Sequence, residues 1–228
     1  MGTGLAIEPH KQRHYGRWLL GFVVIILLIV AGWYGYQWYS TGMQPPVPIP
    51  IAKADPSIDE SDVSQSAIDN YTVPSSNPRY ISISALGVEK ARIYPVGVTS
   101  QNLLDTPRNI HDAAWYKKSM TPGSGYGAVL INAHNGGISK DGIFAKLDTL
   151  QPGDEITVER GDGKNFRYSV VENQIMSLDE VNATGMKMMM QSAEPTKEGL
   201  NLITCAGKWI PKLGQFDKRV MLRAVIVE

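Results

Sequence analysis

Three residues have the side-chain types needed for acyl transfer through a thioester, and each falls at the edge of a predicted β-strand. Cys205 is the only cysteine of the 228 residues and ends the apolar, β-prone run that begins at Asn201. His134 follows a second such run, Val129 to Ala133, and Arg219 precedes a third. A strand end fixes a side chain while the adjoining loop leaves it accessible, as a nucleophile requires. The pattern therefore predicts a nucleophilic cysteine.

The roles of these side chains follow from their chemistry. The Cys205 thiolate can attack a carbonyl, and His134 can hold that thiolate as an ion pair and then protonate the departing amine. Arg219 stays charged and can donate hydrogen bonds to the oxyanion or hold the substrate backbone. An incoming amine or water then releases the thioester. Arg223 shares a strand face with Arg219 and is the alternative, but Arg219 begins the strand, near the predicted Cys205 loop.

The cysteine and the histidine also have structural interpretations. His134, beside Asn135 and two glycines, is compatible with a turn histidine, and Cys205 with a small buried hydrophobic residue. One cysteine cannot form a disulfide within the chain, so the thiol stays free. A free thiol is an oxidation liability outside the cytoplasm, and a catalytic role would justify it.

The composition argues against several partners. Lys and Arg (22 together) balance Asp and Glu (22), and no nucleic-acid-binding motif occurs, so we expect no nucleic-acid partner. One cysteine and scattered histidines lack the spacing of zinc ligands. We therefore expect no metal and no cofactor.

An apolar segment near the N-terminus predicts a membrane anchor over residues 18–39. No charged residue occurs between Arg17 and Lys53, and about 20 apolar helical residues cross a hydrocarbon core of about 30 Å. Basic residues precede the segment, so we expect residues 1–17 in the cytoplasm and the remainder outside, in a single-pass plasma-membrane protein. A cleaved signal peptide and a buried core helix are the alternatives. Bulky aromatic residues stand where a cleavage site would lie: Trp33, Tyr34, Tyr36, Trp38 and Tyr39.

The remaining chain divides into a linker and one domain. Residues 40–78 are rich in Pro, Ser and Asp and predict a spacer that adds nothing to the domain core. Residues 79–228 form one domain with many short predicted strands, which favours a mainly β fold, a closed or nearly closed β-barrel with a few short helices. The sequence predicts a short helix at 112–118, a helical turn or short helix at 143–150 and, as the main helical candidate, residues 177–191.

The cysteine segment resembles that of the sortases, membrane-anchored cysteine transpeptidases of the bacterial cell surface. Their Thr-Leu-X-Thr-Cys motif is matched by Leu202, Ile203, Thr204 and Cys205, with Asn201 in place of the first Thr. His134 matches the catalytic histidine and Arg219 the catalytic arginine, in Lys218-Arg219-Val220. Further stretches resemble class E and F sortases: Ile83 to Val88, Tyr94 to Gly97, Trp115-Tyr116 with Pro122-Gly123, and Phe144 to Asp154.

The resemblance implies a sortase-type barrel of about eight strands and an N-terminal anchor. It implies cleavage of an LPxTG-like signal between Thr and Gly and transfer of the acyl group to an amine on a cell-wall precursor or another acceptor. The partners would be surface proteins that carry this C-terminal signal. Thr204, Ala133 and Asn135, neighbours of the catalytic pair, are expected to bind substrate.

Two further points of the resemblance concern loops. Pilus-building sortases often have a lid of Asp-Pro and an aromatic residue, whereas Asp55-Pro56 is followed here by Ser57, which disfavours a lidded pilin polymerase. Some sortases use calcium, and Glu172, Asp179 and Glu180 flank an expected substrate loop. Such acidic groups are usually a solvated face, so we expect no required ion.

Other functions remain as alternatives. A surface cysteine peptidase would hydrolyse the thioester, but papain-like enzymes place Cys before His. L,D-Transpeptidases have a His-Gly-Cys-X-Arg motif, whereas Thr204 precedes the cysteine here and Gly207 occupies the Arg position. A non-catalytic, surface-anchored binding barrel would leave the His, Cys and Arg placement as coincidence.

Overall fold

The structure, a computed structural model, describes residues 15–46 and 57–227. The first unit contains one long helix, α1, Tyr15–Thr41. Its segment Arg17–Thr41 has a mean hydropathy of 2.3 and is long and apolar enough to cross a membrane. The described part of the chain does not include residues 1–14 of the predicted cytoplasmic segment 1–17. It also does not include linker residues 47–56, among them Asp55 and Pro56.

The second unit is built on a closed barrel of eight strands, which confirms the predicted fold class. The strands follow one another around the barrel in the order β1-β2-β3-β4-β7-β8-β6-β5. Two neighbouring pairs, β2 with β3 and β4 with β7, are parallel, and the others are antiparallel. The strands are β1 Pro78–Ile83, β2 Val88–Val96, β3 Ala113–Tyr116, β4 Ala128–Ala133, β5 Glu155–Arg160, β6 Asn165–Ser177, β7 Gly199–Ile210 and β8 Gln215–Ile226.

Alternate residues of the strands fill the barrel, because successive side chains of a strand point to opposite faces. In β7 and β8 the inward residues are apolar and fully or almost fully buried: Leu200, Leu202, Val220, Leu222 and Ala224. A second apolar cluster covers the outer face of the same strands: Leu130, Val181, Met189, Ile203 and Met221. The outer face of β4, β7 and β8 is therefore also a packed surface.

A helical segment covers that outer face, as predicted for residues 177–191. It comprises α3 Leu178–Glu180, a π-helix Val181–Gly185 and α4 Met186–Met189. Ser177 begins it with a capping box, in which the Ser177 side chain and Glu180 satisfy each other's backbone N–H groups. Met189 is fully buried against the strands. We call this segment the helical wall.

The helix predicted at 112–118 differs from the structure. These residues contain β3, whose backbone pairs with both β2 and β4, and burial of its Ala and Trp side chains in the barrel overrides any helical pattern. Residues 143–150, predicted as a helical turn or short helix, contain one 3-10 turn, Leu147–Thr149, which ends before the tight turn at Pro152.

The spacer prediction is wrong for residues 57–77, which pack on the barrel. Tyr71 donates its hydroxyl proton to the carbonyl oxygen of Ile93 at 2.5 Å, and its ring centroid lies 4.9 Å from that of Tyr94. The short helix α2, Gln65–Asp69, is capped by Ser64 just before this aromatic contact. Polar composition suggested a spacer, but one aromatic ring with a polar handle is enough to dock the segment.

We expect Tyr71→Ala to lower the free energy of unfolding by about 2–3 kcal/mol, because it removes both the ring packing and a hydrogen bond. Thr72→Ala, an exposed neighbour, is the control and should change stability little. Chemical denaturation of a chain beginning at Ser57 measures both. A chain beginning at Arg79 should be less stable still. Equal stability of the Ser57 and Arg79 chains would restore the spacer interpretation.

Candidate active site

The register of three neighbouring strands places the predicted catalytic residues in one row on the outer face of the barrel. Cys205 on β7 lies directly opposite Arg219 on β8. On the other side of β7, Asn132 of β4 lies beside Ile203. Two residues further along each chain segment, His134 follows the end of β4 and Cys205 continues β7. Neighbouring strands are about 4.8 Å apart, so the backbone positions of the three residues follow one another at about that spacing. We call this line the catalytic row.

Both strands continue beyond the catalytic row, which corrects the prediction that they end there. β7 extends to Ile210 and β8 begins at Gln215, with a register shift between Ala206 and Trp209. Gly207 takes φ +81° at this shift, and an added Cβ would collide with the Asp217 carboxylate. The irregularity bends the hairpin away from the barrel, because a bulge leaves residues unpaired and increases local twist. Access to Cys205 thus comes from a bulge rather than from a strand end.

His134 is oriented by a carbonyl group of the β2–β3 connection. Its Nε2 lies 2.7 Å from the carbonyl oxygen of Pro107. A carbonyl oxygen only accepts, so Nε2 carries a proton in this contact and Nδ1 is the ring nitrogen that can accept one. The backbone carbonyl of His134 also accepts from Phe144, which closes the loop that follows it.

The loop after His134 is held by the segment 57–77, which precedes β1. The Glu60 carboxylate accepts hydrogen bonds from the backbone N–H groups of Ile138 and Ser139 and from the Ser139 hydroxyl. Lys140 of the same loop forms an ion pair with Asp62 at 2.7 Å. The residues just before β1 therefore help to fix the loop that carries the histidine.

The structure distinguishes the two candidate arginines. Arg219 donates to the carbonyl oxygens of Phe216 and Lys218, at 2.8 and 2.7 Å, which holds the guanidinium beside the hairpin. Arg223 lies opposite Asn201 instead, four residues before the nucleophile, and forms an ion pair with Glu172 at 3.0 Å. Only Arg219 shares the catalytic row with Cys205.

Burial and charge act on the thiol in opposite directions. Desolvation by burial raises the pKa of Cys205 above that of an ordinary thiol, and the nearby Arg219 charge lowers it by a smaller amount. The net effect is a raised pKa, which favours the protonated form of the thiol. A thiol of this kind needs a base to become a nucleophile, and His134 is its neighbour in the row.

Two depressions open on Cys205 and His134. The larger, which we call the long groove, has a volume of about 570 Å³ and is walled by the β2–β3 connection and the helical wall. The smaller, which we call the side pocket, has a volume of about 310 Å³ and lies against the β7–β8 hairpin. Apolar side chains dominate the long groove: Val98, Leu103, Leu104, Tyr116, Leu178, Val181, Met186, Met190 and Ile203. The side pocket includes Ser57, Ile58, Arg108, Trp209 and Phe216.

The three predicted substrate-binding residues are all near the row, but two of them are engaged with each other. The Thr204 hydroxyl donates to the carbonyl oxygen of Ala133 at 2.8 Å, and both residues are buried. This bond ties the residue before the nucleophile to the residue before the histidine. Asn135 lines the side pocket. Thr204 and Ala133 thus tie β7 to β4, and both also line the long groove, so their role in substrate binding stays a prediction.

Asn201, where the sequence departs from the sortase motif, holds the helical wall. Its side-chain amide donates to the carbonyl oxygens of Met189 and Gln191, at 2.8 and 2.9 Å. Met189 ends the wall and Gln191 lies two residues beyond it, at the end of a helix where carbonyl groups have no partner within the helix. A threonine hydroxyl has one proton and could donate to only one of them.

The acidic residues considered for an ion have other partners. Glu172 binds Arg223, and Glu180 accepts from the Ser177 backbone N–H at 2.8 Å and from the Ser177 hydroxyl at 2.7 Å. Asp179 lies exposed in the first turn of α3. The carboxylates of Glu172 and Glu180 are therefore already paired within the protein.

A model of the sortase domain matches residues 81–227. The chain belongs to the sortase family. Among solved structures, sortase C of Streptococcus pneumoniae is 17% identical, with a TM-score of 0.50 over 84% of each chain. Sortase C-1 of Actinomyces oris is 17% identical, with a TM-score of 0.49 over 72% of this chain and 80% of that one. A lid mutant of Corynebacterium diphtheriae sortase A is 21% identical, with a TM-score of 0.48 over 70% and 74%. No curated protein matched the chain.

Membership of the sortase family identifies a cysteine transpeptidase and confirms the predicted resemblance. The match names no class, so the resemblance to classes E and F stays a prediction. The fold likeness to other sortases agrees with the closed barrel.

The raised thiol pKa of this sortase predicts how Cys205 reacts with iodoacetamide. The reaction should be slow at neutral pH and accelerate into the alkaline range, with a midpoint above that of glutathione measured alongside, because burial disfavours the thiolate. Intact mass spectrometry follows the reaction, since only one cysteine is present. A rate that is already maximal at neutral pH would contradict the prediction.

Proposed function

We propose that this sortase is a membrane-anchored transpeptidase that cleaves an LPxTG-like sorting signal between Thr and Gly and transfers the acyl product to an amine of the cell wall. The observation that carries the proposal is the catalytic row, in which His134, Cys205 and Arg219 are aligned by strand register beside an apolar groove. A sorting peptide is extended and largely apolar, which suits such a groove.

In the acylation step, Nδ1 of His134 takes the thiol proton and the Cys205 sulfur attacks the Thr carbonyl carbon. The oxyanion that develops is stabilised by hydrogen bonds from the Arg219 guanidinium. The bond between the carbonyl carbon and the Gly nitrogen then breaks, and His134 gives its proton to the departing amine. The product is a thioester on Cys205 and a free Gly amine.

In the second step an acceptor amine attacks the thioester, loses a proton to His134 and returns the thiol. The acceptor amine enters through the side pocket, because this pocket reaches Cys205 from the hairpin side while the acyl group occupies the long groove. Water attacking in place of the amine would give hydrolysis, the activity of a surface peptidase, which is the alternative outcome.

The proposed location follows from α1. The helix is the single-pass anchor, the basic N-terminus stays in the cytoplasm, and the barrel faces the outside, where surface proteins with a C-terminal signal and cell-wall precursors are available. A membrane-impermeant maleimide should then label Cys205 in intact cells. Labelling that requires lysis would contradict this orientation.

The test of the proposed reaction is product analysis. The protein without its anchor, residues 57–228, is incubated with Leu-Pro-X-Thr-Gly-like peptides, each position varied in turn, with and without amine acceptors. We expect a peptide–acceptor conjugate, a thioester trapped on Cys205 by mass spectrometry, and no product from Cys205→Ala. Hydrolysis unaffected by acceptor would favour the peptidase. No cleavage of any peptide by a folded protein would favour a binding barrel.

The arginine assignment predicts a difference between two matched substitutions. Arg219→Lys should lower the single-turnover acylation rate about a hundredfold, because an ammonium cannot reproduce the planar set of donors at the oxyanion. Arg223→Lys, on the same face of the same strand, should cost little, since Arg223 binds Glu172 outside the catalytic row. A loss confined to the Arg223 variant would transfer the role to that residue.

A further inference from the structure

We propose that the side-chain oxygen of Asn132 accepts a hydrogen bond from a backbone N–H of the peptide in the long groove, and so sets a requirement on the peptide residue two positions before the cleaved bond. The inference rests on the proposed function. Asn132 lies on β4, on the same face as His134 and two residues before it, and it lines the long groove. It was not among the residues predicted from the sequence.

The orientation of the Asn132 amide is fixed by a backbone carbonyl. Its Nδ2 donates to the carbonyl oxygen of Asp105 at 2.9 Å. A carbonyl oxygen cannot donate, so the nitrogen of the amide must face Asp105 and the oxygen must face away from it. Asn132 is only 6% exposed, so the side chain has no freedom to present the other end.

The oxygen that faces away has no hydrogen-bond partner among the described residues. A buried amide oxygen left unpaired destabilises the folded protein, and most such groups in folded proteins are paired. The neighbours of Asn132 in the sheet cannot supply a donor, because Ala114 lies opposite on β3 and Ile203 beside it on β7. Both have apolar side chains.

Other unpaired buried groups have explanations closer at hand. The Asn201 oxygen and the Arg223 Nε are both unpaired, but these residues lie directly opposite each other, so a small adjustment pairs an acceptor with a donor. Neither lines the long groove or the side pocket. Asn132 combines an unpaired acceptor, a fixed orientation and a place in the groove.

The distance from the catalytic row selects the peptide group. Two residues along a strand correspond to about 6.6 Å, so Asn132 lies at about that distance from the row. In an extended peptide that is cleaved between Thr and Gly, the amide nitrogen of residue X lies about 6 Å from the Thr carbonyl carbon. This N–H is therefore the one that meets Asn132 when the carbonyl meets Cys205.

The groove must adjust slightly for this contact, since the Asn132 oxygen is shielded from solvent in the resting protein. The adaptable part of the groove is the helical wall, where Met186 and Met190 face the peptide path. Methionine side chains repack at low cost. The bound peptide then replaces an unpaired oxygen with a paired one, and the contact favours peptides that carry an N–H at this position.

The test is a double-mutant cycle with a peptide that the wild-type protein cleaves, chosen from the Leu-Pro-X-Thr-Gly-like library. In one version the amide N–H of residue X is replaced by an ester oxygen. With the wild-type protein, we expect this ester to raise KM about tenfold with little change in kcat, because the bond forms in both the ground and transition states. Asn132→Leu should raise KM for the amide peptide similarly and should be insensitive to the ester.

The controls separate this inference from the proposed function. Asn173→Leu changes a second asparagine with an unpaired oxygen, which contacts Leu147 and Leu150 away from the groove, and should respond to the ester as the wild type does. An ester at every position in turn, tested on the wild-type protein alone, should give the largest loss at residue X, whether or not a variant folds. Equal ester penalties for wild type and Asn132→Leu, or a largest loss elsewhere, would overturn the inference. Failure of the wild type to cleave any peptide would instead overturn the proposed function, and the inference with it.

Discussion

The pairing register of β4, β7 and β8 is the constraint on which the site depends. Parallel pairing of β4 with β7 carries His134 to Cys205, and antiparallel pairing of β7 with β8 carries Arg219 to the same row. A slip of one residue in β7 would turn Cys205 into the barrel and bring Leu202 and Thr204 outwards. The alternation of apolar residues on β7 thus fixes the catalytic geometry, because the core accepts only one register.

The same outer face also builds the substrate groove. Ile203 and Met221, one row below the catalytic residues, pack against Val181 and Met189 of the helical wall. One row further, Asn201 holds the carbonyl end of that wall with two hydrogen bonds. The three levels of β7 thus have separate functions: Cys205 for chemistry, Ile203 for packing and Asn201 for holding the wall. A polar residue is tolerated at the third level because the helix end provides its acceptors.

The sequence was sufficient for those features that depend on local pattern. Apolar runs ending in His134 and Cys205 predicted the strands, and many short predicted strands with few helices predicted the barrel. It failed where long-range packing decides. β3 looked helical because parallel pairing with β2 has no local signal, and residues 57–77 looked like a spacer because the contact of Tyr71 with Tyr94 depends on the folded barrel. Asn132 gave no signal, since its importance comes from an unpaired atom.

The resting thiol shows how the barrel reconciles reactivity with protection. Burial keeps Cys205 protonated, and a protonated thiol resists oxidation because the thiolate is the reactive form. Arg219 partly offsets the burial, and it lies where negative charge appears first on sulfur and then on the substrate oxygen. The Pro107 carbonyl oxygen accepts a hydrogen bond from Nε2 of His134 and so orients the ring. In the proposed reaction the thiolate forms when a base and an electrophile are both in place, so burial slows side reactions of the thiol in the resting protein.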